Sequence, residues 1–123
     1  MDIHFLIAAL HAMKTAKKEN RKRVATIVCE NTELFPHLVT LTFKTEDKLS
    51  IKAAWILEWI CTHKELNLMI PHLDAFTENI PRLQFDSAIR PCAKICEQLA
   101  KAFYAKKENR VQTALTKYIS IEL

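Results

Sequence analysis

Ile51-Lys52-Ala53-Ala54-Trp55-Ile56-Leu57-Glu58-Trp59-Ile60-Cys61-Thr62-His63 decides the fold class. At the helical step of about 100° per residue, its apolar side chains nearly encircle the axis, leaving two narrow polar notches, Glu58 with Thr62 and Lys52 with His63. A helix apolar on almost every side must be covered on almost every side, so this segment predicts a central helix with other helices packed around it. Trp55 and Trp59, four residues apart, share a face beside both notches.

Working outward, apolar residues recur at helical spacing almost throughout, and no stretch alternates as a half-buried strand does. The expected class is all-α, a single domain over residues 1–123 with about seven antiparallel helices joined by short connections. Asp2 caps a first helix to about Met13 and Asn20 a second to about Glu30. Asn31 or Thr32 opens a third helix, with Pro36 in its first turn, ending near Lys44. Thr45 to Asp47 precede the central fourth helix, and a fifth element around Met69 to Asn79 contains Pro71 and stops before Pro81. Asp86 or Ser87 caps a sixth helix to about Tyr104, and Asn109 a seventh to the C-terminus.

The chain has no glycine. That removes the P-loop, the dinucleotide-binding GxGxxG turn and the GxSxG nucleophile elbow, all of which need a positive φ or a close backbone approach. The five histidines form no HExxH or comparable spacing, and no serine, cysteine or threonine stands in a nucleophile context. No metal, cofactor or catalytic residue is expected. Cys29, Cys61, Cys92 and Cys96 each lie in an apolar helical segment, without the spacing of a redox CxxC or a zinc site, and read as buried, reduced thiols in a cytoplasmic setting. No apolar run approaches the ~20 residues that cross a bilayer, and the N-terminus lacks a basic region ahead of its apolar run, so neither a membrane span nor secretion is expected.

The net charge of +4 is uneven. Residues 1–30 carry six bases and three acids, residues 31–100 seven and nine, and residues 101–123 five and two. The basic ends are too mild to require a nucleic-acid partner.

Two hairpins resemble each other. Phe35-Pro36-His37-Leu38 followed by Ser50-Ile51-Lys52-Ala53-Ala54 parallels Ile70-Pro71-His72-Leu73 followed by Ser87-Ala88-Ile89-Arg90-Pro91-Cys92-Ala93, offset by 35 residues at the prolines and 37 at the serines. A proline-started first helix, an acidic turn and an early base in the second helix resemble HEAT repeats, a family of ARM/HEAT-type α-solenoid units. Residues 1–105 would make three such units, the first degenerate, in an irregular right-handed α-α superhelix. The hexapeptide at residues 16–21, Ala-Lys-Lys-Glu-Asn-Arg, recurs at residues 105–110. Its separation of 89 residues is no multiple of the period, so it reads as a lysine-rich helix start and not as a duplicated binding motif.

The resemblance implies that the second helices of the units line a concave surface, and its candidate binding residues are Lys52, Trp55, Glu58, Trp59, Arg90, Lys94 and Lys101. The tryptophans either fill the seam between helix pairs or form an aromatic platform, with Trp55 expected to be mainly buried. Glu58 requires a base, Arg90 or Lys94, and the other charges either form a ladder of salt bridges or a basic stripe. The leading expectation is a non-catalytic module that binds another protein. The alternative is a nucleic-acid-binding or repair protein similar in outline to the HEAT-like alkylpurine DNA glycosylases, whose concave surface combines bases, tryptophans and a catalytic carboxylate. Under the leading reading plain duplex DNA is expected to bind weakly if at all, because the basic ridge is short and contains Glu97. The seventh helix presents Val111, Ala114, Leu115, Tyr118 and Ile119 on one face with no partner helix, which predicts self-association through it or a stack that continues beyond this chain.

Overall fold

A computed structural model describes residues 1–118. Its elements are α1 (Ile3–Ala12), α2 (Lys18–Glu30), α3 (Phe35–Thr42), α4 (Leu49–His63), α5 (Leu73–Asn79), α6 (Asp86–Phe103) and α7 (Arg110–Leu115). Short 3-10 turns at Thr32–Leu34, Leu66–His72 and Ile80–Arg82 lead into α3, into α5 and out of α5. Among the described residues there is no strand, and no helix is long and apolar enough to cross a membrane.

The encircled helix is the hub. Ala53, Ala54 and every residue from Ile56 to Cys61 are buried, and α4 packs against α1, α2, α3 and α6. The stripes that face it are Val24, Ala25 and Val28 of α2, Leu38 and Leu41 of α3, and Ala88, Cys92, Ile95 and Leu99 of α6, all buried.

The chain closes its helices without left-handed residues: among the described residues no φ is positive. Met13, after α1, is extended at φ −78° and ψ 105°, and Asn31, after α2, sits at φ −134° and ψ 72°. Polar side chains do the work that glycine performs elsewhere. At helix C-termini the Asn31 amide donates to the Ile27 carbonyl at 2.9 Å and the Asn79 amide to the Ala75 carbonyl at 2.7 Å, while at the N-termini of α1 and α4 Asp2 and Asp47 accept the Phe5 and Leu49 N–H groups at 3.1 Å and 2.8 Å. Pro36 lies in the first turn of α3, where its missing N–H leaves no helical bond unmade.

Two expected caps are different in fact. Asn20 lies inside α2, which starts at Lys18, and its amide donates to Thr15 Oγ1 at 2.9 Å, tying the preceding turn to the helix. Asp86 is the first residue of α6, which has no side-chain cap; its charge lies where the helix dipole favours an acid. The element around Pro71 is also not one helix, because proline cannot donate into an α-helical ladder; a 3-10 turn carries Pro71 and α5 begins after it.

The face of α7 offered for self-association is largely covered by its own chain. Asn109 accepts the Gln112 N–H at 2.7 Å, while its amide donates to the Ala102 carbonyl at 2.9 Å and Gln112 Nε2 donates to the Phe103 carbonyl at 2.9 Å. These bonds satisfy the last carbonyls of α6 and fold α7 back, burying Val111 and Leu115 against α6 and the Leu66–His72 turn. The Tyr118 hydroxyl donates to the Asp74 carboxylate, which also lies 3.7 Å from Lys117 Nζ. The helix was expected to reach the C-terminus; it ends at Leu115, and Ile119 lies outside the described residues.

Two apolar residues of α6 stand off its core face, one of them Cys96, which was expected to be buried. Ile89 and Cys96 are exposed, because the stripe that meets α4 runs through Ala88, Cys92, Ile95 and Leu99 and each of the two lies one step round the helix from it. The thiol expectation holds for Cys61 and Cys92, which are buried and free; Cys29 is half-buried.

Candidate functional site

A cleft runs between α2, α4 and α6. Each helix contributes one stripe: α2 supplies Arg21, α4 supplies Trp55, Glu58, Trp59 and Thr62 at intervals of three and four, and α6 supplies Ser87, Arg90, Pro91, Lys94 and Glu97 in the same pattern. Two lobes share Arg21, Glu58 and Lys94. The first, about 250 Å³, holds Trp55 and Arg90 over Ser87 and Pro91. The second, about 330 Å³, reaches Trp59, Thr62 and His63.

Glu58 is only 6% exposed, an uncommon place for a carboxylate. Lys94 Nζ lies 3.8 Å from its Oε1 and is itself mostly in solvent, so the base for Glu58 is Lys94 and not Arg90. This asymmetry sets the energetics. Removing Lys94 leaves a largely buried carboxylate without its counter-charge, whereas removing the acid leaves a lysine that water already solvates. Lys94→Met is therefore expected to lose roughly 1 to 3 kcal/mol in urea unfolding, and Glu58→Gln less than about 1 kcal/mol. The reverse order would sink this account.

Trp59 is 6% exposed, and Trp55 is half-buried at the mouth of the first lobe. The expectation that Trp55 is mainly buried thus belongs to its neighbour one turn on. The Arg21 guanidinium carbon lies 5.2 Å from the Trp59 ring centroid, and the His63 ring lies 4.2 Å from it on a 43° tilt. Three polar atoms on residues that line the second lobe, Arg21 Nε, Trp59 Nε1 and Thr62 Oγ1, are closed off from water with no hydrogen-bond partner. In the first lobe Pro91 has no N–H to offer the Ser87 carbonyl one turn earlier, which frees that acceptor from the helical ladder.

Five of the seven candidate residues meet here: Trp55, Glu58, Trp59, Arg90 and Lys94. Lys52 sits on α4 but lines neither lobe, and Lys101 lies one turn beyond the cleft, paired with Glu97 at 3.2 Å. The salt-bridge ladder is mostly unformed: among the described residues, Arg23, Lys52 and Arg90 make no ion pair within 4.0 Å. Arg21 was missed as a site residue. Its signal was its register, since Arg21, Val24, Ala25 and Val28 fall on one helical stripe, and a base at the head of a buried stripe is held against the core. Among the described residues no group of three or more His, Cys, Asp or Glu could hold a metal ion. No family model, curated protein or solved structure matches the chain.

Proposed function

We propose that this chain is a non-catalytic protein-interaction module, a short and irregular HEAT-like α-solenoid whose α2, α4 and α6 face binds another protein in the cytoplasm. The observation that carries the reading is the first lobe of the cleft. It sets a half-exposed Trp55 beside Arg90, which has no ion pair among the described residues. Tryptophan and arginine are the side chains that most often anchor protein interfaces, and the free Ser87 carbonyl adds an acceptor for a peptide N–H. Free thiols at Cys61 and Cys92, buried and without a disulfide, fit a reducing compartment.

The test is affinity capture from a cytosolic extract, comparing the wild-type chain with a Trp55→Ala/Arg90→Glu variant of unchanged helical circular dichroism. A partner retained by the first and lost by the second supports the module. Equal retention by both overturns the assignment of its surface.

A second reading is nucleic-acid binding or repair, in the manner of the HEAT-like alkylpurine DNA glycosylases. What favours it is the Glu58 carboxylate in a lobe that also holds Trp55, Arg90 and Lys94. Release of a methylated purine from duplex DNA, abolished in Glu58→Gln, would place this reading first.

A further inference from the structure

We propose that the second lobe of the cleft is an oxyanion subsite, in which Arg21, Trp59 and Thr62 take the phosphate or carboxylate of an acidic side chain on a partner peptide. This rests on the reading of the cleft as a protein-binding surface.

The argument begins with the unpaired atoms. Buried polar side chains nearly always find a partner, because a donor that has lost water and gained no acceptor destabilises the fold by its whole desolvation cost. Among the described residues four buried side-chain atoms lack one, and three of them, Arg21 Nε, Trp59 Nε1 and Thr62 Oγ1, belong to residues lining this single lobe. Each can donate: a guanidinium and an indole only donate, and a hydroxyl does so readily. A lobe of about 330 Å³ has room for an ionised group together with its water.

Charge selects an anion over a neutral carbonyl. The lining of this lobe carries two bases, Arg21 and Lys94, and two acids, Glu58 and Glu97. Both acids are already engaged, Glu58 with Lys94 and Glu97 with Lys101, and among the described residues Arg21 and Arg90 are not. A guanidinium presents its donors in a planar fork that matches carboxylate and phosphate oxygens. Glu58 bars an anion from the middle of the cleft, so the place left for one is the end beside Trp59, Thr62 and His63.

Access requires one side chain to move. Arg21 is half-buried, with its guanidinium carbon 5.2 Å from the Trp59 ring centroid; in the proposed subsite it turns outward to meet an anion and opens the way to the buried donors beside it. Its attraction to the ring holds it closed while the subsite is empty. The site is thus guarded by the residue that carries its charge.

The experiment follows the two indole N–H resonances of the isotope-labelled chain during titration with three capped amino acids, N-acetyl amides of phosphoserine, glutamate and serine. A saturable shift of the Trp59 resonance is expected with the phosphoserine or the glutamate derivative, and the tighter of the two names the source. The serine derivative should leave it unmoved. Arg21→Gln should weaken binding roughly tenfold or more, the loss expected of a charge-assisted hydrogen bond. Thr62→Val, a near-isostere, repeats the test if Arg21→Gln fails to fold. Lys106→Gln, at an exposed position after α6 that lines neither lobe, should change nothing. No saturable shift with either acidic probe, an equal response to serine, or indifference to both variants overturns the subsite. Tighter binding of a short oligothymidylate through the same residues overturns the peptide assignment. If no probe moves Trp59 while the Trp55→Ala/Arg90→Glu variant still loses its captured partner, the subsite fails and the interaction module stands.

Discussion

Trp59→Ala is expected to remove roughly 3 to 5 kcal/mol of stability, the range for deleting a packed aromatic from a core that cannot collapse around the space. Trp59 is buried on the hub helix, with Arg21 over its ring and His63 stacked beside it, so truncation empties the junction of α2, α4 and α6. Trp55→Ala, at the half-open mouth of the cleft, should cost about 1 to 2 kcal/mol, in proportion to the smaller area it buries. A third variant separates packing from polarity. Trp59→Phe keeps most of the ring and deletes an indole N–H that has no acceptor, and should cost less than about 1.5 kcal/mol. Urea unfolding of the three variants decides the matter. A Trp59→Ala loss below about 1 kcal/mol, or a larger loss at Trp55, would show that the aromatic contact at the centre of the bundle is wrongly assigned.

The hub was legible because its signal is internal to one helix. Apolar residues on all sides of Leu49–His63 can be satisfied only by neighbours on all sides, whatever those neighbours are. Cap positions were less legible because they depend on competition. The same hexapeptide spans the start of α2 and of α7, yet Asn109 caps its helix while Asn20, inside α2, turns back to Thr15, a residue with no counterpart ahead of the second copy. The fate of α7 was not legible at all. Its apolar face is visible in the sequence, but the carbonyls of Ala102 and Phe103 that anchor Asn109 and Gln112 exist as acceptors only once α6 ends where it does. In the cleft the residue types on α4 and α6 were readable from their spacing. The register of Arg21 with Val24, Ala25 and Val28 put it on the buried stripe, but its lysine-rich context reads as a solvated helix start, and its contact with Trp59 exists only in the assembled bundle.

Alkaline pH is expected to unfold this chain through two buried thiols, Cys61 on the hub helix α4 and Cys92 on α6. Burial pushes the Cys92 thiol up to about 12, with the neighbouring Cys96 adding to it, and burial together with the nearby Glu58 carboxylate pushes Cys61 higher still. In the unfolded chain each would ionise near the ordinary value of 9.0. Between these limits the native state holds protons that the unfolded state has released, so stability falls as pH rises. The contribution is whole below pH 9 and is lost progressively up to about pH 12, at roughly 3 kcal/mol per pH unit for the two thiols together in the middle of that window. Urea midpoints measured from pH 8 to 11 should be flat at first and then drop steeply. Lysines and tyrosines also titrate there, and the Cys61→Ala/Cys92→Ala variant isolates the thiols: it should begin somewhat less stable, for want of two small buried groups, and lose stability with a much shallower slope. A variant slope as steep as that of the wild type would refute the assignment. The same burial predicts the order of alkylation at pH 8, with exposed Cys96 first, half-buried Cys29 later, and Cys61 and Cys92 only as the fold opens. The thiols that lie buried and protonated at neutral pH are therefore the groups whose ionisation loosens the bundle in base.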